Sequence, residues 1–175
     1  MAGNNKIALA ICGLGSFAKR RILPALISCP NIELVAVVDR SMATSELLPN
    51  IKRFNSLDDL LRSNHADSVY ISTPNHMHCQ QTLQCLEAGR HVLCEKPMAT
   101  NSRDCESMLS VAQKLELQLT IGHMLRYSPA LQGVRRWLQS GWLGKPRSID
   151  VSFYYDLPES KRPWAFRKEF SGGGA

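Results

Sequence analysis

Short apolar runs and longer amphipathic runs alternate along most of this chain. KIALAIC (Lys6–Cys12) is apolar almost throughout and stops at a glycine, as a strand buried on both faces does. SFAKRRILPALISC, which follows, carries its apolar residues at helical spacing. IELVAVVD (Ile32–Asp39) is rich in β-branched residues and predicts a second strand. A short strand near Ile51–Phe54 precedes SLDDLLRS, where Ser56 is placed to cap a helix and Asp59 stands three residues on. DSVYIST predicts a fourth strand, and HMHCQQTLQCLEAGR a helix that ends at Gly89. HVLCEK, SRDCESMLSVAQKLE and LQLTIGH continue as strand, helix and strand. Strand and helix alternating in this way predict a doubly wound α/β fold, a parallel sheet with crossover helices on both faces.

The texture changes near residue 124. YSPALQGVRRWLQSGWLG predicts one helix that stops at Gly141–Gly144. In PRSIDVSFYYD, Ile149, Val151, Phe153 and Tyr155 alternate with polar residues, which predicts a strand over 147–156 with one face open. The expected division is residues 1–124 as the doubly wound domain and 125–175 as the start of a second α/β domain with an open sheet.

Composition narrows the class without naming it. Of the 175 residues, 44% are hydrophobic and 21% charged, ordinary for a globular protein. The apolar stretch Ile7–Cys12 is too short for a signal-peptide core, and no run is long enough to span a bilayer. The six cysteines show neither Cys-x-x-Cys nor zinc-finger spacing, so a reducing, cytoplasmic setting without a metal is expected. The net charge of +6 raises the question of nucleic acid. The basic residues are scattered, however, and KRPWAFRK (Lys161–Lys168) reads as a solvated loop, so neither a nucleic-acid nor a membrane partner is expected.

The chemistry gathers where strands end. Gly13-x-Gly15-x-x-Ala18 lies at the first strand-to-helix turn. Such a turn needs Gly13 for its bend, Gly15 for close approach of a pyrophosphate, and a small third residue for packing helix on strand. The phosphates then meet free amides at a helix N-terminus. Asp39 ends the second strand, 21 residues after Ala18, where a carboxylate accepts ribose hydroxyls and favours NAD over NADP. Arg40 beside it can instead stack on adenine or pair with a 2′-phosphate, so NADP stays open. STPNHMH (Ser72–His78) follows the fourth strand, with Asn75 suited to cap the next helix. His76 and His78 diverge on a helix and do not make a metal pair. Glu95 and Lys96 end the fifth strand, and a lysine in a partly dry cleft can give or take a proton at a substrate oxygen.

GLGSFA, VVDR, STPNHMH and HVLCEKP, in that order, resemble the glucose–fructose oxidoreductase/inositol dehydrogenase family (Gfo/Idh/MocA). The resemblance implies a Rossmann domain and an NAD(P)-dependent dehydrogenase or reductase acting on CH–OH groups of sugars, polyols and related alcohols. By position it places Gly13, Gly15, Phe17 and Ala18 at the pyrophosphate, and Asp39 and Arg40 at the adenosine ribose. Thr73, Asn75 and His78 fall on the nicotinamide side, and Glu95 and Lys96 reach its ribose and the substrate. Lys96 is the implied catalytic residue. GHMLRYSP and Trp164 match family segments that put Arg126 and Trp164 near substrate, though Met124 stands where many members have Asn and Ala165 where an arginine often follows. In the family the terminal glycines lead into Asp-x-Gly-x-His, which supplies further active-site groups, and members are roughly twice this length. The chain therefore reads as the front half of a homo-oligomeric enzyme. The alternative is a dinucleotide-binding module without catalysis, a sensor or interaction protein.

Overall fold

The computed structural model describes residues 6–39, 48, 51–152, 154, 158–159 and 162–173. Six strands follow one another: β1 (Ile7–Cys12), β2 (Ile32–Val38), β3 (Lys52–Phe54), β4 (Ser68–Ile71), β5 (His91–Cys94) and β6 (Leu119–Ile121). They form one sheet in the order β3-β2-β1-β4-β5-β6, and every pairing is parallel. The order reverses direction between β1 and β4, which opens a crevice at the carboxyl ends of the strands. This strand order is that of a Rossmann sheet, a doubly wound α/β fold as the alternation of runs predicts.

Side chains alternate across the pleat, so β1 feeds two cores at once. Leu9 and Ile11 pack with Leu14, Ala18, Leu23, Leu26, Val37 and Tyr70 on one face. Ala10 and Cys12 pack on the other with Leu57, Leu60, Leu86, Met108 and Ala112. The first face is covered by α1 (Leu23–Ile27), the second by α2 (Leu57–Arg62), α3 (His78–Glu87) and α4 (Ser102–Lys114). A π-helical turn, Ala18–Ile22, leads into α1, and the Leu23 N–H reaches back to Ala18 O. Pro24, next along, has no N–H to donate to the turn before it.

The helix ends follow the sequence closely. Ser56 Oγ accepts from the Asp59 N–H at 3.1 Å and caps α2. Asn101 does the same for α4 through the Asp104 N–H at 2.9 Å. After α3, Gly89 adopts φ +75°. Its N–H bonds Leu86 O and that of Arg90 bonds Cys85 O, the paired closure of a helix on a left-handed residue.

The chain divides into two compact units: residues up to Gly122 together with those from Trp164 onward, and residues 123–163. The expected boundary at 124/125 assigned residues 164–175 to a second domain, whereas here they group with the first. In the second unit, a 3₁₀ turn (Met124–Tyr127) precedes α5 (Pro129–Gln139), which ends just before Gly141. Leu131, Val134 and Trp137 form an exposed stripe on α5, and Trp137 packs against Trp142 with ring centroids 5.8 Å apart. The strand expected over 147–156 is absent from the described part of that segment. Residues 147–152 form no strand, and Ile149 and Val151 are exposed. A strand needs a neighbour to take its backbone hydrogen bonds, and the described residues of this unit contain no other strand. Phe153, Tyr155 and Asp156 lie outside the described residues.

Candidate active site

The turn after β1 is built on Gly13, which has φ +90°. A Cβ at this position would lie 2.8 Å from Thr73 Cγ2 and 3.0 Å from Ser72 O, so glycine is required both by dihedral and by space. The Gly13 N–H bonds Val38 O at 3.0 Å, and Ser72 Oγ donates to Gly13 O, which ties the ends of β1, β2 and β4 together. Gly15 is different. A Cβ there would meet nothing within 4 Å, so the missing side chain leaves open space above the backbone at the head of the helix. Ala18 is buried and Phe17 half-buried. This cradle fits a dinucleotide pyrophosphate: bare backbone, free space and helical amides in one place.

Asp39 follows β2 at the same edge, its N–H bonded to Phe54 O and its carbonyl accepting from Arg53 Nε at 3.0 Å. Arg40 lies outside the described residues.

The loop after β4 departs from expectation in two places. Asn75 does not cap the helix: Pro74 precedes the short 3₁₀ turn Asn75–Met77, and no side chain caps it. The Asn75 amide instead donates to Ser171 O at 3.0 Å. His78, expected at the nicotinamide side, is 1% exposed. Its Nδ1 lies 2.7 Å from Pro97 O and its Nε2 2.9 Å from Thr73 O. The ring therefore lies between the loop after β4 and the loop after β5. Thr73 is half-buried and donates its hydroxyl to Gln81 Oε1 at 2.6 Å.

At the end of β5, Glu95 and Lys96 part company. Glu95 is buried, with Oε1 accepting from Tyr70 Oη at 2.7 Å and Oε2 accepting from the Lys96 N–H at 3.1 Å. Both its oxygens are engaged inside the protein, in the position where the family resemblance puts a contact to the nicotinamide ribose. Lys96 is exposed at the strand end, and the Lys96–Pro97 peptide is cis. Burial, reinforced by the bond to Glu95, pushes the Tyr70 phenol far above its ordinary range, so it acts as a fixed donor. Desolvation likewise pushes the Cys12 and Cys94 thiols up to about 12, as for small core residues. Neither Tyr70 nor Gln81 stood out in the sequence, because a polar tip inside an apolar strand or helix gives no pattern of its own.

The end of the chain returns to this edge. Trp164 lies in a 3₁₀ turn (Pro163–Phe166) and is half-buried. It precedes α6 (Lys168–Ser171), where Phe170 packs on His76 with ring centroids 4.7 Å apart. Gly172, at φ +84°, lies against Thr100, and a Cβ would come within 2.9 Å of Thr100 Cα and O. Arg126 belongs to the second unit, where it is exposed in the turn before α5. Among the described residues, no cluster of His, Cys, Asp or Glu could hold a metal, and no helix is long and apolar enough to cross a membrane.

The sequence profile of the oxidoreductase family with an NAD-binding Rossmann fold (Gfo/Idh/MocA) matches residues 7–123, from β1 through β6. The chain belongs to this family. Within the family it is 34% identical over 123 residues to the 1,5-anhydro-D-fructose reductase of Ensifer adhaerens, covering 70% of this chain and 37% of that one. The WlbA dehydrogenase of Bordetella pertussis, solved with NADH and UDP-GlcNAcA, superposes with a TM-score of 0.75 at 30% identity, over 81% of this chain and 42% of its own. KijD10, a 3-ketoreductase from Actinomadura kijaniata solved with NADP and TDP-benzene, gives a TM-score of 0.73 at 29% identity, over 78% and 43%. The chain spans about half the length, or less, of the curated relatives it matches.

Proposed function

We propose that the protein is an NAD(P)-dependent dehydrogenase or reductase that interconverts a carbinol and a carbonyl on a sugar, polyol or related cyclic alcohol. One observation carries the reading. The open cradle at Gly15 and the exposed amine of Lys96 stand at the carboxyl ends of β1 and β5, on the same edge of one parallel sheet. The sugar-directed names of related reductases, 1,5-anhydro-D-fructose reductase among them, support the substrate class.

In this reading the Gly13–Ala18 turn holds the pyrophosphate, and Asp39 accepts the adenosine ribose hydroxyls and favours NAD. Thr73 and Asn75 border the nicotinamide end. The nicotinamide supplies the hydride when bound. Lys96 is the catalytic residue: its ammonium donates a proton to the substrate carbonyl oxygen during reduction, and its amine takes it back during oxidation. Trp164 flanks the substrate from the segment that returns to the first unit. Glu95 and His78 act behind this surface, holding the two loops that present it.

Gly15→Arg tests the reading directly. The open space at Gly15 lets the variant fold, while its side chain fills the pyrophosphate position. Binding of NAD(H), followed by cofactor fluorescence, is expected to weaken more than a hundredfold with an unchanged melting temperature. Unchanged binding would sink the proposal. Wild-type binding without turnover across a panel of aldoses, polyols and their keto forms would leave a dinucleotide-binding module in its place.

A further inference from the structure

We propose that Tyr70 is a positioning residue for Lys96, acting through the carboxylate of Glu95. The inference rests on the reading of Lys96 as the proton donor.

Tyr70 stands on β4 opposite Leu93 of β5, at 1% exposure. A tyrosine whose ring serves only the core would be as well served by phenylalanine. Here the hydroxyl crosses to the neighbouring strand end and donates to Glu95 Oε1 at 2.7 Å. The second oxygen of that carboxylate accepts from the backbone N–H of Lys96 at 3.1 Å. Glycine at 122 leaves this carboxylate room, since a Cβ there would crowd it at 3.1 Å from Oε1 and 3.3 Å from Cδ. The Gly122 N–H bonds Cys94 O at 2.8 Å, which holds that stretch of backbone to β5. Tyr70 thus holds one oxygen of Glu95 while the other holds the backbone from which the Lys96 side chain leaves the sheet. The Pro97 carbonyl, held by His78, restrains the far side of the same turn. Hydrogen bonds to a carboxylate are shorter and stronger than neutral ones and carry geometric information as well as energy. Small displacements of a catalytic group lower rate far more than affinity.

Tyr70→Phe removes one oxygen atom and keeps the ring. In the full-length protein we expect kcat to fall about tenfold while KM for the cofactor stays within twofold. Residue-resolved amide exchange supplies a readout that needs no turnover. The Lys96 amide is expected to exchange at least tenfold faster, with Val69 and Leu93 in the adjoining strands unchanged. Tyr70→Phe added to Glu95→Gln should cost little further, because both changes break the same chain of contacts. A uniform rise in exchange, or an unchanged kcat with an unchanged Lys96 amide, would overturn the proposal. If the wild-type protein binds NAD(H) but turns nothing over, the oxidoreductase reading fails separately, and selective loosening at Lys96 still decides the role of Tyr70. Should Tyr70→Phe not fold, Glu95→Gln, which keeps the side-chain volume, is read by the same two measurements.

Discussion

Each nitrogen of the His78 ring faces a backbone carbonyl, one from the loop after β4 and one from the loop after β5. Removing the ring takes the donor from whichever of the two oxygens its N–H serves and opens a void. His78→Ala is therefore expected to lower stability by about 2–4 kcal/mol, combining one lost hydrogen bond and a cavity, as measured by urea denaturation. A loss well under 1 kcal/mol would mean that the two loops hold themselves. The sequence marked this histidine as a site residue but for a different reason. Position in a motif shows that a residue matters, whereas the direction of its side chain depends on partners far away in the chain. Asn75 repeats the lesson: a residue suited to capping found a carbonyl 96 positions along instead. Gly13 was legible because its requirement, a left-handed turn, is local.

At the scale of elements, α2 shows what a cap does in acid. The Asp59 carboxyl is held below its usual range, first by the hydrogen bond from Ser56 and then by Arg62, whose guanidinium lies 2.7 Å away. A carboxylate with a lowered folded-state pKa adds stability above its unfolded value and loses it as pH falls through the folded one. Ser56→Ala removes the cap, and the loss expected from cap substitutions generally is about 1 kcal/mol at neutral pH. The difference between wild type and variant should shrink in acid, as pH falls from the ordinary aspartate range through the lowered value that Asp59 has in the fold. Denaturation curves at pH 7 and pH 3 check both statements, and a difference that grows in acid would contradict them. The six strands and their helices were legible because a parallel sheet buries its strands on both faces and so writes continuous apolar runs. The run over 147–156 misled because alternation states only that a segment could sit at a half-exposed sheet, and the sheet itself must come from elsewhere in the chain.

At the scale of the whole molecule, the cofactor proposal makes a thermodynamic demand. A ligand that binds only the folded protein stabilises it by about 2.7 kcal/mol at a hundred times its Kd. NAD(H) should therefore raise the melting temperature in a concentration-dependent way, and Gly15→Arg should abolish the rise. An equal rise in that variant would place the nucleotide somewhere else. The route of the chain has a further consequence. The first unit is discontinuous, since its sheet is complete at β6 but Asn75, His76 and Thr100 meet their partners only in residues 170–172. About fifty residues separate the two events during synthesis. At roughly 5–20 residues per second, a ribosome needs several seconds to make them. The nascent domain therefore passes through an interval in which its sheet can form while this edge of the crevice is still unfastened, a window in which a chaperone or an early nucleotide would meet a looser site than the finished protein presents.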